Sequence, residues 1–126
     1  MSEMRIMIID DAALVRIYYR DTLERAGFTV EEALNGLEAL EKLLRHPVDL
    51  LIVDVNMPKM DGFTFLKTLR RQSGPIAGIP ALIISTECAP QDFAAAREAG
   101  ANFYLVKPIQ PDVLLAHVTL ICGAAS

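Results

Sequence analysis

Apolar residues fall into five short runs along the chain, separated by longer stretches in which they recur at helical spacing. Arg5-Ile6-Met7-Ile8-Ile9 is the first run, and it ends in Asp10-Asp11. Phe28 to Ala33 is a weaker one; it carries Glu31 and Glu32, which predicts an edge strand. Asp49 to Val53 shows no polar alternation, the pattern of a strand buried on both faces, and it runs into Asp54 before a Pro/Gly loop. Pro80 to Ser85 and Asn102 to Val106 complete the set, ending at Ser85 and at Lys107-Pro108.

Between them, Ala12 to Ala26 reads as a helix with Leu14, Ile17, Tyr18, Thr22 and Leu23 on one face, closed by Gly27. Asn35-Gly36-Leu37-Glu38 resembles a capping box that opens a helix bearing Leu37, Leu40, Leu43 and Leu44, up to His46-Pro47. Gly62 to Gln72 places Phe63, Leu66 and Leu69 together, and Ser73-Gly74-Pro75 with Gly78 marks a loop. Pro90 at the first helical position opens a fourth helix that stops at Gly100, and Pro111 to Cys122 is the last. Strands alternating with helices predict an α/β domain with a parallel sheet, and right-handed crossovers put helices on both faces, a doubly wound sheet. Strand order cannot be read from periodicity.

Composition narrows the function classes. A chain of 126 residues with 52% hydrophobic residues builds one core, read here as one domain over 1–126. Net charge of −4 with no basic face argues against nucleic-acid binding. No stretch approaches the roughly 18 apolar residues of a membrane span, and Met1-Ser2-Glu3 opens no signal peptide, so a cytoplasmic protein is expected. Cys88 and Cys122 have neither metal spacing nor a disulfide framework.

The chemistry gathers at the strand ends. An open parallel sheet binds ligands beyond the carboxyl ends of its strands. Read in order, those ends carry Asp10 and Asp11, Asp54, Ser85-Thr86 and Lys107. One such acid alone is most simply a turn former or helix cap. Three carboxylates on one rim repel and stay ionised only if a cation shares the site. Oxygen ligands favour Mg²⁺, and Lys107 adds a second positive charge. Asp54 is then a candidate nucleophile toward phosphorus, with Asp11 and Asp54 holding Mg²⁺ on one phosphoryl oxygen, Lys107 pairing with another and Ser85 donating to a third.

The segments Ile9-Asp10-Asp11, Val53-Asp54-Val55-Asn56-Met57-Pro58-Lys59-Met60-Asp61-Gly62, Ser85, Ala99-Gly100-Ala101 and Tyr104-Leu105-Val106-Lys107-Pro108 resemble the receiver domain of bacterial response regulators, in family order and over nearly the whole chain. The Asp54 to Gly62 segment is especially similar to CheY-type single-domain regulators. The resemblance implies a flavodoxin-like, CheY-like three-layer sandwich of five strands in order 2-1-3-4-5 with five helices. It implies that Asp54 accepts a phosphoryl group from a histidine kinase. It assigns the Mg²⁺ site to Asp10, Asp11, Asp54 and the backbone carbonyl of Asn56, with Asp10 acting mostly through water. It pairs Lys107 with a cis peptide to Pro108. Ser85 and Tyr104 match a switch pair, in which the phosphoryl group draws the Ser85 hydroxyl inward and the Tyr104 ring turns from an outward to a buried position. Asn56 and Glu87 match the positions that tune phosphate lifetime, and their residue types imply rapid loss of phosphate.

An output face of fourth helix, fifth strand and fifth helix is likewise implied, carrying Phe93, Tyr104 and Val106. Downstream partners of this class are a motor switch, a phosphotransferase or another effector, bound by a monomer or a weak phosphorylation-dependent dimer. Chemotaxis is the leading pathway, although Cys88-Ala89-Pro90-Gln91 stands where chemotaxis members often carry lysines. A phosphorelay shuttle, or a stand-alone receiver in another pathway, is the alternative. A chain from Met1 to Gly123-Ala124-Ala125-Ser126 reads as a complete receiver without an output domain. Haloacid-dehalogenase-type phosphohydrolases also use an Asp nucleophile and Mg²⁺, but they need a second Asp two residues on, where this chain has Asn56, and a cap insertion for which it has no room. A signalling receiver, acting only on its own phosphorylation and dephosphorylation, is therefore expected rather than an enzyme.

Overall fold

A computed structural model describes residues 4–123. Five parallel strands, β1 (Arg5–Ile9), β2 (Thr29–Ala33), β3 (Leu50–Asp54), β4 (Ala81–Ser85) and β5 (Phe103–Val106), form one sheet in the order β2-β1-β3-β4-β5. Helices α1 (Ala13–Arg25), α2 (Gly36–Arg45), α3 (Gly62–Arg70), α4 (Pro90–Ala99) and α5 (Pro111–Cys122) cover it. The fold class and the strand order are those expected.

Although the central strands are apolar throughout, their side chains still alternate between two separate cores. Met7, Ile9, Leu51, Val53, Ala81 and Ile83 pack with Leu43, Phe65, Leu66, Leu69 and Ala96 under α2, α3 and α4. Ile6, Ile8, Leu50, Ile52, Leu82 and Ile84 pack with Tyr19, Leu23, Leu114 and Val118 under α1 and α5. Every residue of β3 is buried, so the strand that carries Asp54 is held from both sides. β2 lies at the sheet edge, with Glu31 and Glu32 paired to arginines rather than buried among apolar groups.

Two helix faces differ from the sequence reading. In α1 the buried residues are Tyr19, Thr22 and Leu23, whereas Leu14 is 81% and Ile17 60% exposed and Tyr18 is also outward. Tyr19 and Leu23 enter the core under this face, and on the β2 side Arg16 and Arg20 both reach Glu32. In α2, Leu37 and Leu44 are exposed, while Ala39 and Leu43 are buried. Close approach explains this, since a Cβ on Gly36 would lie 2.9 Å from the Phe65 Cβ. Small residues line that contact and the leucines on either side turn outward.

The predicted capping box of α2 is offset by one residue. Asn35 Oδ1 accepts from the Glu38 amide at 2.9 Å, but the Glu38 carboxylate accepts from the amide of Leu34. The loop at 73–80 contains a 3₁₀ turn, Pro75–Gly78, that buries Ile76. Arg70 staples this region. Its guanidinium donates to the carbonyls of Gly100, Ala77 and Ile79, tying α3 to the turn before β4 and to the end of α4.

Candidate functional site

The parallel arrangement brings the ends of β1, β3, β4 and β5 to one rim, and the predicted chemistry-bearing residues follow them there. Oxygen atoms of Asp10, Asp11 and Asp54 lie within 4.8 Å of one another. Asp10 and Asp54 are buried and Asp11 is exposed, so the cluster is open to solvent on one side. Lys107 Nζ donates to Asp54 Oδ1 at 2.9 Å and stands 3.8 Å from Asp10 Oδ2. One ammonium thus faces three carboxylates. The excess negative charge and the hard oxygen donors suit a small divalent cation.

Each side chain is placed by a local constraint. Asp10 takes the Ala12 amide on Oδ1 at 2.9 Å, its own amide donates to the Ala33 carbonyl, and its carbonyl accepts from Arg16. Burial pushes its carboxyl pKa up, and the charge of Asp54 adds to that, against the lowering effects of the Ala12 amide and Lys107. Asp54 ends β3, paired in register with Ile84. The loop after it folds back on Gly62, whose amide donates to the Val55 carbonyl at 2.9 Å. A Cβ on Gly62 would lie 2.3 Å from the Asp54 carbonyl oxygen, so only glycine permits this return. Lys59 in the same loop has φ of 69°. Asp61 then caps α3, accepting from the Thr64 amide at 2.8 Å.

Ser85 is buried, and its Oγ accepts from the Glu87 amide at 3.1 Å. Tyr104, half-buried on β5, donates its hydroxyl to the Glu87 carbonyl at 2.7 Å and sets its ring edge-on to Phe93 with centroids 4.7 Å apart. Ser85 and Tyr104 are therefore joined through the backbone of one residue, a link that residue types alone did not reveal. Val106 is half-buried opposite Ser85, and Phe93 is 39% exposed. Asn56 is exposed, two residues beyond Asp54, and Glu87 is exposed after β4. The Lys107–Pro108 peptide is cis.

Two features escaped the sequence reading. Arg16, with its guanidinium on both Asp10 and Glu32, has no motif to announce it. A groove of about 600 Å³ opens beside Lys107, walled by Leu14, Tyr18 and Tyr19 of α1 and by Thr86, Ile109 and Gln110. The outward leucine and tyrosine of α1 are part of that wall. Tyr18 spans the groove's edge by donating to the Ile109 carbonyl at 2.8 Å. Among the described residues no helix is long and apolar enough to cross a membrane.

Comparison with known proteins agrees with this geometry. Residues 6–119 match the response regulator receiver domain family. The chain is 37% identical to the chemotaxis protein CheY1 of Helicobacter pylori over 95% of its own length and 98% of that protein's. It is 40% identical to the chemotaxis protein CheY of Bacillus subtilis, covering 90% of this chain and 93% of that one. The structure of the chemotaxis response regulator CheY4 of Vibrio cholerae superposes with a TM-score of 0.89 at 37% identity, over 95% of this chain and 99% of that one.

Proposed function

This chain belongs to the response regulator receiver domain family, whose members are phosphorylation-based signalling domains rather than classical enzymes, and we propose that it is a switch whose phospho-acceptor is Asp54. The observation that carries this reading is the Lys107 ammonium 2.9 Å from Asp54 Oδ1, within a cluster that also holds Asp10 and Asp11. A bare carboxylate is a weak nucleophile toward phosphorus unless charge on the phosphoryl oxygens is neutralised. Asp10, Asp11, Asp54 and the Asn56 carbonyl would hold Mg²⁺, which supplies that neutralisation when bound.

In the proposed transfer, an Asp54 carboxylate oxygen attacks the phosphorus of a histidine kinase's phosphohistidine. The new O–P bond forms an acyl phosphate as the N–P bond breaks, and the imidazole leaves with its electron pair. Lys107 moves from the carboxylate to a phosphoryl oxygen, and the open groove beside it gives a donor room to approach. Hydrolysis of the acyl phosphate resets the switch, and Asn56 and Glu87, both exposed beyond the strand ends, would tune its rate.

The signal leaves through the Glu87 backbone. Ser85 Oγ now accepts from the Glu87 amide. A phosphoryl group that recruits the Ser85 hydroxyl as a donor draws Oγ inward, away from that amide, and loosens the loop. Tyr104, anchored on the Glu87 carbonyl, moves with it and alters the face bearing Phe93, Tyr104 and Val106. The names of the relatives favour a role in chemotaxis; in our reading the partner is of the motor-switch kind and the protein cytoplasmic, and a phosphorelay shuttle to a phosphotransferase is the second reading.

Incubation with acetyl phosphate and MgCl₂, followed by intact mass, tests the assignment. Wild type is expected to gain one phosphoryl group and Asp54→Asn none. Equal labelling of the two would remove Asp54 from its role.

A further inference from the structure

The carbonyl of Asp10 is gripped by a side chain that takes no part in the chemistry described above. Arg16 donates from one terminal nitrogen to that carbonyl at 2.7 Å and from Nε to Glu32 at 2.7 Å. Its side chain is 13% exposed and that of Glu32 29%, so both bonds are partly sheltered from water. Glu32 is itself fixed. It lies on β2 opposite Ile8, takes Arg20 on its second oxygen, and is held below the usual carboxylate range because those two arginines outweigh its burial. The Ala33 carbonyl accepts from the Asp10 amide, and Asp10 Oδ1 accepts from the Ala12 amide. Amide, carbonyl and one carboxylate oxygen of Asp10 are thereby all committed, leaving Oδ2 turned toward Lys107.

A metal site gains affinity when its ligands are held in place before the ion arrives, and groups behind the ligands supply that hold. Three mutually repelling carboxylates need such a hold, because their like charges oppose a close arrangement. We propose that Arg16, anchored by Glu32, is a positioning residue that preorganises the Asp10–Asp11 turn for a divalent cation. The inference rests on the reading of Asp10, Asp11 and Asp54 as a cation site. Arginine suits the task because its planar fork reaches two acceptors at once, whereas a lysine ammonium is a single flexible point charge.

The test is a MgCl₂ titration followed by amide NMR of residues 10–12 and 54–57, in wild type, Arg16→Met, Arg16→Lys and Asp11→Asn. The spectra report folding and cation affinity separately. Arg16→Met is expected to bind Mg²⁺ roughly tenfold more weakly with its core resonances unmoved, and Arg16→Lys to fall between it and wild type. Wild-type midpoints, within twofold, in both Arg16 variants overturn the inference and leave Arg16 a staple between α1 and β2. If Arg16→Met does not fold, Arg16→Lys decides by the same criterion. Wild type and Asp11→Asn titrating alike would instead overturn the cation site itself, and this inference with it.

Discussion

Lys107 Nζ lies 2.9 Å from Asp54 Oδ1 but 3.8 Å from Asp10 Oδ2, so the ammonium at the acidic rim leans on the carboxylate proposed to carry the phosphoryl group. Both acids are buried and the lysine side chain is 24% exposed. Removing the charge leaves the carboxylates facing one another with no counter-charge. Lys107→Met is therefore expected to destabilise the metal-free protein by on the order of 2 kcal/mol, less than for a fully buried pair. MgCl₂ should recover more stability in the variant than in wild type, while phosphorylation by acetyl phosphate falls at least tenfold. Urea unfolding with and without Mg²⁺ checks the first pair of statements and intact mass the third. Equal Mg²⁺ stabilisation of both proteins would contradict the shared-site geometry.

Burial raises the Asp10 carboxyl above its ordinary value of 3.8, and the sign of its effect on stability follows. A carboxyl with a raised folded pKa binds its proton more tightly in the folded state. Below the ordinary value both states are protonated and the group is neutral in its effect; as pH rises through the folded value it becomes a cost. Without divalent ions, Asp10→Asn is expected to raise Tm at pH 7, and the gain should vanish near pH 3. Mg²⁺ should narrow the difference at pH 7 by stabilising wild type more. A variant that is less stable than wild type at pH 7 in chelator would show that the attraction of the carboxylate charge to the Ala12 amide and Lys107 outweighs burial.

The parts of this molecule that were legible in the sequence are those where one residue type has one physical use. Apolar runs without alternation marked strands buried on two faces, and the acids, hydroxyl and lysine at their ends converged because a parallel sheet puts all such ends on one rim. Helix rotation was not legible. Leu14, Ile17 and Tyr18 have the spacing of a core face, yet Tyr19 and Leu23 are the residues that pack under the sheet while Arg16 and Arg20 pair with Glu32 of β2, long-range contacts that periodicity does not contain. Arg70 was invisible for a similar reason, since its partners are backbone carbonyls that carry no signature in the sequence. The offset box at Leu34 to Glu38 shows the same limit on a smaller scale: the motif was readable, and the amide it serves was not.

Gly62 occupies the tightest position of the site. A Cβ there would meet the Asp54 carbonyl oxygen at 2.3 Å, with the Val53 side chain at 3.1 Å. Backbone and a fully buried strand stand on that side, so nothing can swing away. Gly62→Ala is expected to cost about 3 kcal/mol or more despite the better helix propensity of alanine at the start of α3. Phosphorylation should fall along with stability, because the displaced atom belongs to the peptide of Asp54. Denaturant unfolding measures the first effect. A stability loss under about 1 kcal/mol would mean that the loop from Val55 to Asp61 can lift without disturbing β3.

Ser85 and Tyr104 meet at Glu87 from opposite sides, one through the amide and one through the carbonyl. If the Glu87 backbone is the path from phosphoryl group to output face, the two ends can be uncoupled without stopping the chemistry. Ser85→Ala frees the Glu87 amide, which lies at an exposed residue where water can replace the lost partner, so the stability cost should stay near or below about 1 kcal/mol. Acetyl phosphate should still label Asp54, more slowly for want of one donor. With beryllofluoride as phosphoryl mimic, the Glu87 amide and the Tyr104 ring are expected to shift together in wild-type NMR spectra, and Tyr104 to stay largely unmoved in Ser85→Ala. Tyr104→Phe supplies the converse: the Glu87 amide should still respond, because its partner Ser85 is intact, while the ring loses its anchor on the carbonyl. A Tyr104 ring that shifts equally with and without the Ser85 hydroxyl would break the proposed path at its first step, and the output face would have to be reached through α4 or α5 instead.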